Sequence, residues 1–431
     1  MPRSEQRLPS LQQLRAFEAV ADCESISTAA KAIHLSQPSV TQAIGDLERK
    51  VGAALFDRRR SGCYLTSAGG IFRPRVLRML TQIRNALSEP VVGPAFVDRS
   101  SAASLERKIT DAQVRSLIAI SESVSFDDAA RRLAITEPSL HRSARTLERA
   151  LRRTLYRRTA QGFTTTPPGA ELARRFKLAA REIEYGIDEI GAAQGRFVSR
   201  IVVGNIPHSN THLISAAINE LLAKFPDASV EVLDGHYNDL LTALRSGGLD
   251  LVYGVLRRPK WAFDIEEKLL FSNPYAVVAR RDHPLRALRR ITTADLARYD
   301  WVLPPQGTPR RHAFELIFNG RKSKPKVSIE TTSLGIYRTV LATSDRLSLF
   351  SHREVEDDRI AGIEALPYDS SRLQRADGIA LRKDWKPTRI HLEFLERLTA
   401  LATVRGGKRS GAAVTAASRA DTVRCERSQP F

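Results

Sequence analysis

The chain has 431 residues, 42% of them hydrophobic and 27% charged, with a formal net charge of +19. At about 100–200 residues per domain, that length is too great for one compact core. Residues 1–200 carry 32 basic against 21 acidic side chains, residues 201–400 carry 29 against 25, and the last 31 carry 6 against 2. A basic folded half favours a polyanion, because each phosphate neutralised releases counterions. Cys23, Cys63 and Cys425 lie far apart with no C-x-x-C pair. That spacing argues against a disulfide framework and a zinc site, and neither metal nor cofactor is expected. The opening "MPRSEQRLPSLQQL" has no apolar core of a secretory signal, and no apolar run approaches the roughly 20 residues that span a bilayer. The expectation is a soluble, cytoplasmic protein with no membrane partner.

The first predicted helix carries Leu14, Phe17, Val20 and Ala21 at helical spacing. A second starts near Ser27 and runs through Ala29, Ala30 and Ile33. Then comes "HLSQPSV". Ser36 can cap a third helix, and Pro38 falls in its first turn, where the missing N–H costs nothing. Val40, Ile44, Leu47 and Val51 form its buried stripe, leaving Gln37, Ser39, Thr41, Gln42 and Gly45 on the other face. Short polar groups at a helix N-terminus are what a recognition helix offers to base edges and phosphates. "LFDRRRSGCYLTSAGG" follows as two short strands turning at Ser61-Gly62, with Arg58, Arg59 and Arg60 at the turn. A basic hairpin after such a helix is a wing that can grip the DNA backbone.

This stretch resembles the N-terminal domain of the LysR-type transcriptional regulators. The matching residues include Phe17, Ala29, Ala30, Leu35, Ser36, Gln37, Pro38, Val40, Ile44, Leu47, Glu48, Leu55, Phe56, Arg58, Leu65, Thr66 and Gly69. The resemblance implies a winged helix-turn-helix whose Ser36–Gln42 stretch meets DNA. Gln42 and Gly45 stand where many members of the family carry basic residues, which implies fewer phosphate contacts.

One hundred residues on, the pattern returns without a gap. Arg15, Ala29-Ala30, Pro38-Ser39, Leu47-Glu48-Arg49, Leu55, Arg58, Gly62, Thr66 and Gly69 all recur at +100. The solvent face differs: Gln37, Thr41, Gln42 and Gly45 become Glu137, His141, Arg142 and Arg145. Thr136, Pro138, Ser139, His141, Arg142, Arg145 and Arg158 are the expected DNA-facing set of this second module. Thr165 for Leu65, with Pro167-Pro168 for Ser67-Ala68, predicts a less well packed wing base.

Val76, Leu80, Ile83 and Leu87 follow the first module at heptad-like spacing, and Leu172, Phe176, Ala179, Ile183 and Ile190 follow the second. In the family a helix at this place pairs two subunits, so the resemblance implies dimer helices and a homo-oligomer, dimer or tetramer. The Pro-, Gly- and Ser-rich residues 88–108 read as a linker between modules.

From Arg200 strands and helices alternate: "RIVVGN", a helix His212–Phe225, "SVEVLDG", a helix Asn238–Arg245, "LDLVYGVL". The rhythm repeats after "YAVVARRDHP" with helices near His312–Phe318 and Ile336–Thr343. The chain returns through "DGIALRKDW" to a helix Thr388–Leu401. This predicts two α/β lobes around a cleft. The segment resembles the LysR effector domain, which is itself similar to type 2 periplasmic binding proteins. By that likeness Ile206–Thr211, Gln306–Arg311 and Thr331–Leu334 line a pocket. Pro207, His208, Ser209, Gln306, Gly307, Thr308, Arg310 and Ser333 are the expected effector contacts, suited to a small organic acid. His283 reads as a capping histidine, and no nucleophile motif, P-loop or H-E-x-x-H is present. Residues 404–431 are small and basic and read as a disordered tail.

The predicted fold class is α/β with a mainly-α N-terminal part: two tandem winged helix-turn-helix domains, then a two-lobed effector domain. The expected boundaries are 9–70 and 109–170 for the two modules, and 71–108 for a linker helix and flexible linker. Residues 171–198 form the dimerisation helix, 199–403 the effector domain and 404–431 the tail. The expected function is a sequence-specific DNA-binding transcription regulator, not an enzyme, modulated by a small-molecule effector. The alternatives are an architectural DNA-binding protein or, further off, an enzyme using the two-lobed domain.

Overall fold

A computed structural model describes residues 9–90, 96–159, 162–196, 199–320, 324–358 and 362–406. The chain divides into two compact units, residues 1–199 and 200–431.

In the N-terminal unit the first module comprises α1 (Leu11–Cys23), α2 (Ile26–Ala32), α3 (Gln37–Val51), β1 (Phe56–Arg59), β2 (Gly62–Leu65) and α4 (Ser67–Ser88). A helix α5 (Arg99–Lys108) follows. The second module repeats the order as α6 (Asp111–Glu122), α7 (Phe126–Arg132), α8 (Glu137–Leu151), β3 (Tyr156–Thr159), β4 (Gly162–Thr165) and α9 (Pro167–Ala193).

Several positions shared by the two copies have a clear structural task. Ser10 with Gln13, and Thr110 with Gln113, form capping boxes at α1 and α6. Glu48 accepts the backbone N–H groups of Leu55 (2.7 Å) and Phe56 (3.1 Å), tying the end of α3 to the wing. Glu148 does the same for Leu155 (2.8 Å) and Tyr156 (3.2 Å). Thr66 and Thr166 cap α4 and α9 through the N–H of Gly69 and Gly169, while donating to the carbonyls of Ala54 and Thr154. A Cβ on either glycine would be driven into the carbonyl oxygen of Leu55 or Leu155.

Four readings change. Ser25, not Ser27, caps α2, accepting from Thr28 N at 3.3 Å. The wing turn falls at Arg60–Ser61, with Gly62 already in β2. The expected weak wing base of the second module is filled by aromatics: Phe163 packs edge-on against Phe126, centroids 4.8 Å apart, and Tyr156 meets Phe126 at 6.2 Å. Much of the expected flexible linker is helix. Asp98 caps α5 through Ser101 N at 2.8 Å, Ala102 and Leu105 are buried, and Arg15 Nε bonds the Glu106 carboxylate at 3.0 Å. Small residues there are core contacts rather than spacers. Residues 91–95 lie outside the described residues.

The largest difference concerns α4 and α9. Their apolar positions were expected to meet a second subunit, yet the two helices pair with each other inside one chain, antiparallel. Arg75, early in α4, bonds Glu189 (3.0 Å) and Glu182 (2.9 Å) in α9. Arg175, early in α9, reaches Glu89 at 3.5 Å just past the end of α4. Gly186 admits the Phe72 ring, whose nearest atom would lie 2.8 Å from a Cβ there. Val76, Leu80, Ile83, Leu87, Leu172, Phe176, Ala179, Ile183 and Ile190 are all buried. Duplication supplies both partners of the pair, and the two modules share one continuous hydrophobic core.

The C-terminal unit is two-lobed. It begins β5 (Arg200–Asn205), α10 (Thr211–Lys224), β6 (Ser229–Asp234), α11 (Tyr237–Arg245), β7 (Leu251–Val255), β8 (Ile265–Ser272) and β9 (Tyr275–Arg280). It continues α12 (Thr293–Leu296), β10 (Trp301–Leu303), α13 (Pro309–Ile317), β11 (Val327–Glu330), α14 (Leu334–Ala342), β12 (Ser348–Ser351), α15 (His352–Asp358), β13 (Ile363–Ala365), β14 (Ala376–Arg382) and α16 (Arg389–Gly406). The first lobe is a five-stranded sheet ordered β6-β5-β7-β14-β8, with β5, β6 and β7 parallel and β14 antiparallel to its neighbours. The second holds β12-β9-β13 and the parallel pair β10-β11, joined by a bridge between Trp301 and Leu347. Each lobe has its own core, around Leu240–Leu244 in the first and around Trp301, Phe314 and Phe318 in the second. His283 caps a short turn, its Nδ1 accepting from Leu285 N at 3.1 Å. Helix α16 runs to Gly406, past the point where the tail was expected to begin, and residues 407–431 lie outside the described residues.

Substituting Gly69→Ala or Gly169→Ala should each lower stability by about 1–3 kcal/mol through overpacking, read as a shift in the urea midpoint. Gly45→Ala, where a Cβ meets nothing within 4 Å, should be neutral or stabilising, since alanine is the better helix former.

Candidate functional site

The first module presents an open polar face. Ser36 caps α3 through Ser39 N at 3.3 Å, with the two hydroxyls 2.7 Å apart. Ser36, Gln37, Pro38, Ser39 and Gln42 are exposed, and Thr41 is half-buried with its hydroxyl donated to the Gln37 carbonyl at 3.0 Å. The first turn of a helix leaves backbone N–H groups without intrahelical partners, which suits phosphate or base-edge recognition. Arg58, Arg59 and Arg60 are exposed on the wing. Arg59 is held by Asp57 at 2.7 Å and Arg58 lies 3.9 Å from Glu48.

The second module presents a different face on the same frame. Thr136, Pro138, Ser139, Arg142, Arg145 and Arg158 are exposed. Thr136 makes no side-chain cap to the α8 backbone, its hydroxyl meeting Ser139 Oγ at 2.9 Å. His141 is half-buried. Its ring stacks on Phe126 at 4.2 Å and 14°, lies edge-on to Phe163 at 5.7 Å and has Glu137 at 3.4 Å. A third of its side chain remains exposed beside Glu137. Arg145, Arg149, Arg152 and Arg153, with Glu148 and Thr154, line an open depression beside α8. Arg149, Arg152 and Arg153 were not among the expected DNA-facing residues, and the fold brings them beside Arg145.

In the C-terminal unit the expected effector residues separate into scaffolding and cluster. Ser209 is buried and donates to the Ile206 carbonyl at 2.6 Å. Thr308 caps α13 through Arg311 N at 3.3 Å, and Ser333 caps α14 through Ile336 N at 3.4 Å. Gln306 and Gly307 are exposed in the turn before α13, where Gly307 has φ +78°, and Pro207 is half-buried. His208 and Arg310 come together. His208 has φ +65°, a backbone conformation that non-glycine residues adopt at a cost. Its ring sits edge-on to Tyr337, centroids 5.3 Å apart, with Nδ1 3.9 Å from Glu354.

Arg310 is not the free cation that a carboxylate site was expected to offer. It bonds Glu354 at 2.6 Å, and both side chains are 4% exposed. Arg375, also buried, reaches Glu354 at 3.4 Å, Asp377 at 2.7 and 2.8 Å, and the His208 carbonyl at 3.0 Å. Two guanidinium groups thus face two carboxylates. Burial opposes the charge of Glu354, but Arg310 and Arg375 hold its pKa down at about 2. Burial, and then Arg310, depress His208 to about 3, with Glu354 pulling the other way. His208 is therefore a neutral imidazole at neutral pH. Both its ring nitrogens, Arg310 Nη1 and the Tyr337 hydroxyl are buried with no well-aligned hydrogen bond, although the Thr332 backbone lies near His208 and the Arg310 guanidinium near the Tyr337 hydroxyl. Tyr337, Glu354 and Arg375 escaped sequence reading. Glu354 lies in the acidic run "HREVEDD", which looks like a solvated face, and Arg375 has no motif around it.

The geometry has a counterpart in known proteins. The LysR substrate binding domain matches residues 194–402, and the lysR-family bacterial regulatory helix-turn-helix protein matches 11–70 and again 112–170. The chain belongs to the LysR family of transcriptional regulators. The regulator is similar to GalR of Pseudomonas putida, 27% identical over 87% of this chain and 93% of that one. It also resembles PcaQ of Agrobacterium fabrum, 26% identical over 66% of this chain and 92% of that one. Among solved structures, full-length OxyR from Pseudomonas aeruginosa shares the fold, with a TM-score of 0.51 and 20% identity over 69% of this chain and 95% of that one. The regulator is accordingly a DNA-binding transcription regulator with an effector-binding domain, and not an enzyme. No helix among the described residues is long and apolar enough to cross a membrane.

A histidine with a depressed folded pKa takes up its proton only on unfolding. His208 should therefore stabilise the fold fully above about pH 6.5, its unfolded value, and lose that contribution as pH falls towards 3. His208→Gln should flatten the fall in melting temperature between pH 7.5 and pH 5, measured by calorimetry.

Proposed function

We propose that the effector of this regulator is a small organic anion seated against His208, Arg310 and Tyr337. The observation that carries this reading is the set of buried, unpartnered polar atoms on those three side chains. Buried polar groups without partners are rare, and here they converge between the turn after β5 and helices α13 and α14. A carboxylate offers acceptor lone pairs to the Arg310 N–H, the Tyr337 hydroxyl and one ring N–H of His208. The surrounding charges already balance, so one carboxylate adds an unmatched negative charge. His208 can offset it by taking a proton, which makes binding tighter as pH falls.

Both helix-turn-helix modules, 9–70 and 109–170, engage DNA in this reading. The first works through Ser36, Gln37, Ser39, Gln42 and the wing arginines. The second works through Arg142, Arg145 and Arg158, with less from His141. Effector binding in 199–403 shifts the population of conformations that those modules can use. The setting is cytoplasmic, and copies self-associate through surfaces other than the buried α4–α9 faces. An architectural protein would share the DNA contacts but would gain no stability from a ligand.

Titration of the full chain with a panel of mono- and dicarboxylates by calorimetry tests the pocket. Tyr337→Phe deletes an unpartnered hydroxyl, so stability should hold or rise while affinity for the best acid falls about 3–30-fold, the worth of roughly 0.7–2 kcal/mol for one hydrogen bond. Unchanged affinity would remove Tyr337 from the site. Gln37→Ala with Thr41→Ala should weaken operator binding and relax its sequence preference. If Arg142 only holds phosphate, Arg142→Ala should weaken all duplexes alike and lower the salt slope by about 1.

A further inference from the structure

We propose that the N-terminal unit is a built-in pair of unlike reading heads, so that one chain docks on a bipartite, non-palindromic duplex. This rests on the DNA-binding reading above and adds stoichiometry and operator symmetry to it.

The contacts between α4 and α9 have the pattern of an isologous interface, in which i meets j′ and i′ meets j. Arg75 meets Glu189, and Arg175 meets Glu89. Under the +100 offset these are the same contact, made twice. Gln82 meets its own equivalent, Glu182, at 3.4 Å, which places a local two-fold axis near these residues. The flanking segments come close to the same relation: Arg196 lies beside Gly52, and Phe96, the equivalent of Arg196, lies under Arg153 at 5.1 Å, one residue past the equivalent of Gly52. The core between the copies is continuous, and the paired faces are buried within the chain. They are closed to a second copy.

The antiparallel arrangement puts the N-terminal ends of α4 and α9, and hence the two modules, at opposite ends of the pair. Helix α4 has 22 residues, about 33 Å at 1.5 Å per residue. That length is close to one turn of B-DNA, about 34 Å. Two identical heads in this geometry would read an inverted repeat. These heads share their scaffold but not their faces: Gln37 answers to Glu137, Gln42 to Arg142 and Gly45 to Arg145. The duplex that fits has two different half-sites about a turn apart.

The test uses the full chain in two measurements. Selection from a randomised 40-base-pair duplex library, followed by sequencing, should return two unlike motifs at fixed spacing. Gln37→Ala with Thr41→Ala should blur one motif, and Arg142→Ala with Arg145→Ala should weaken contact at the other, each with at least a fivefold loss of affinity. In a background of Cys23→Ser, Cys63→Ala and Cys425→Ser, Glu89→Cys with Arg175→Cys should be joined by a short bismaleimide within one chain, running as a single-chain species on a denaturing gel. Asn85→Cys with Arg175→Cys, which leaves Arg75 with Glu182 and Glu189, serves as the second pair should the first not fold. An inverted repeat of one motif, a lone half-site indifferent to the second pair of substitutions, or a two-chain cross-link would overturn this inference alone. Failure to enrich any duplex, with the single-chain cross-link intact, would overturn the DNA-binding reading and this inference with it.

Discussion

The N-terminal half depends on one interface, the antiparallel packing of α4 on α9. Its apolar stripe could slide by a turn and still bury hydrophobic surface. The ions inside it cannot. Arg75 and Glu182 are almost wholly enclosed, and an enclosed charge without its partner costs several kcal/mol. Arg75 must therefore find Glu182 and Glu189, which fixes one register. Gly186 has the same effect sterically, since only a residue without a side chain lets the Phe72 ring approach. The positions of both modules, and of the helix that links them, follow from that register.

Much of this architecture is legible in the sequence, for a physical reason. Many of the residues that recur at +100 act over short distances along the chain. Glu48 reaches the start of the wing seven residues on, Thr66 caps its own helix, and Gly69 makes room for a carbonyl fourteen residues back. Local tasks leave local spacing. The alternating texture of the effector domain is readable likewise: each expected helix there has an observed counterpart with bounds within about five residues, while the short α12 and α15 were not expected. Partner choice is not local. Nothing in the spacing of Val76, Leu80, Ile83 and Leu87 says whether their partner is another subunit or a helix one hundred residues away. Helix α5 hides because serine and alanine suit both linkers and close helix contacts, and the stack of His141 on Phe126 and Phe163 joins segments that no local spacing links.

The effector cluster shows the same limit more sharply. Serine and threonine hydroxyls at Ser209, Thr308 and Ser333 look like ligand contacts in sequence, yet each is spent on the backbone next to it. The groups left over, on His208, Arg310 and Tyr337, come from three distant segments. Glu354 and Asp377 neutralise the arginines from two more. Charge balance in such a site is a property of the two assembled lobes, and no single stretch of chain carries it.

Tethering both halves of the DNA-gripping unit on one polypeptide also changes how it responds to dosage. A unit assembled from separate chains thins out with the square of concentration when the protein becomes scarce. The α4–α9 pair cannot dissociate by dilution, so the two-headed unit itself persists in the first power of chain concentration. Nor can it exchange a head with a related regulator in the same cell. The two faces stay matched one to one for the life of the molecule, which leaves each free to diverge without needing to remain compatible with a copy of itself.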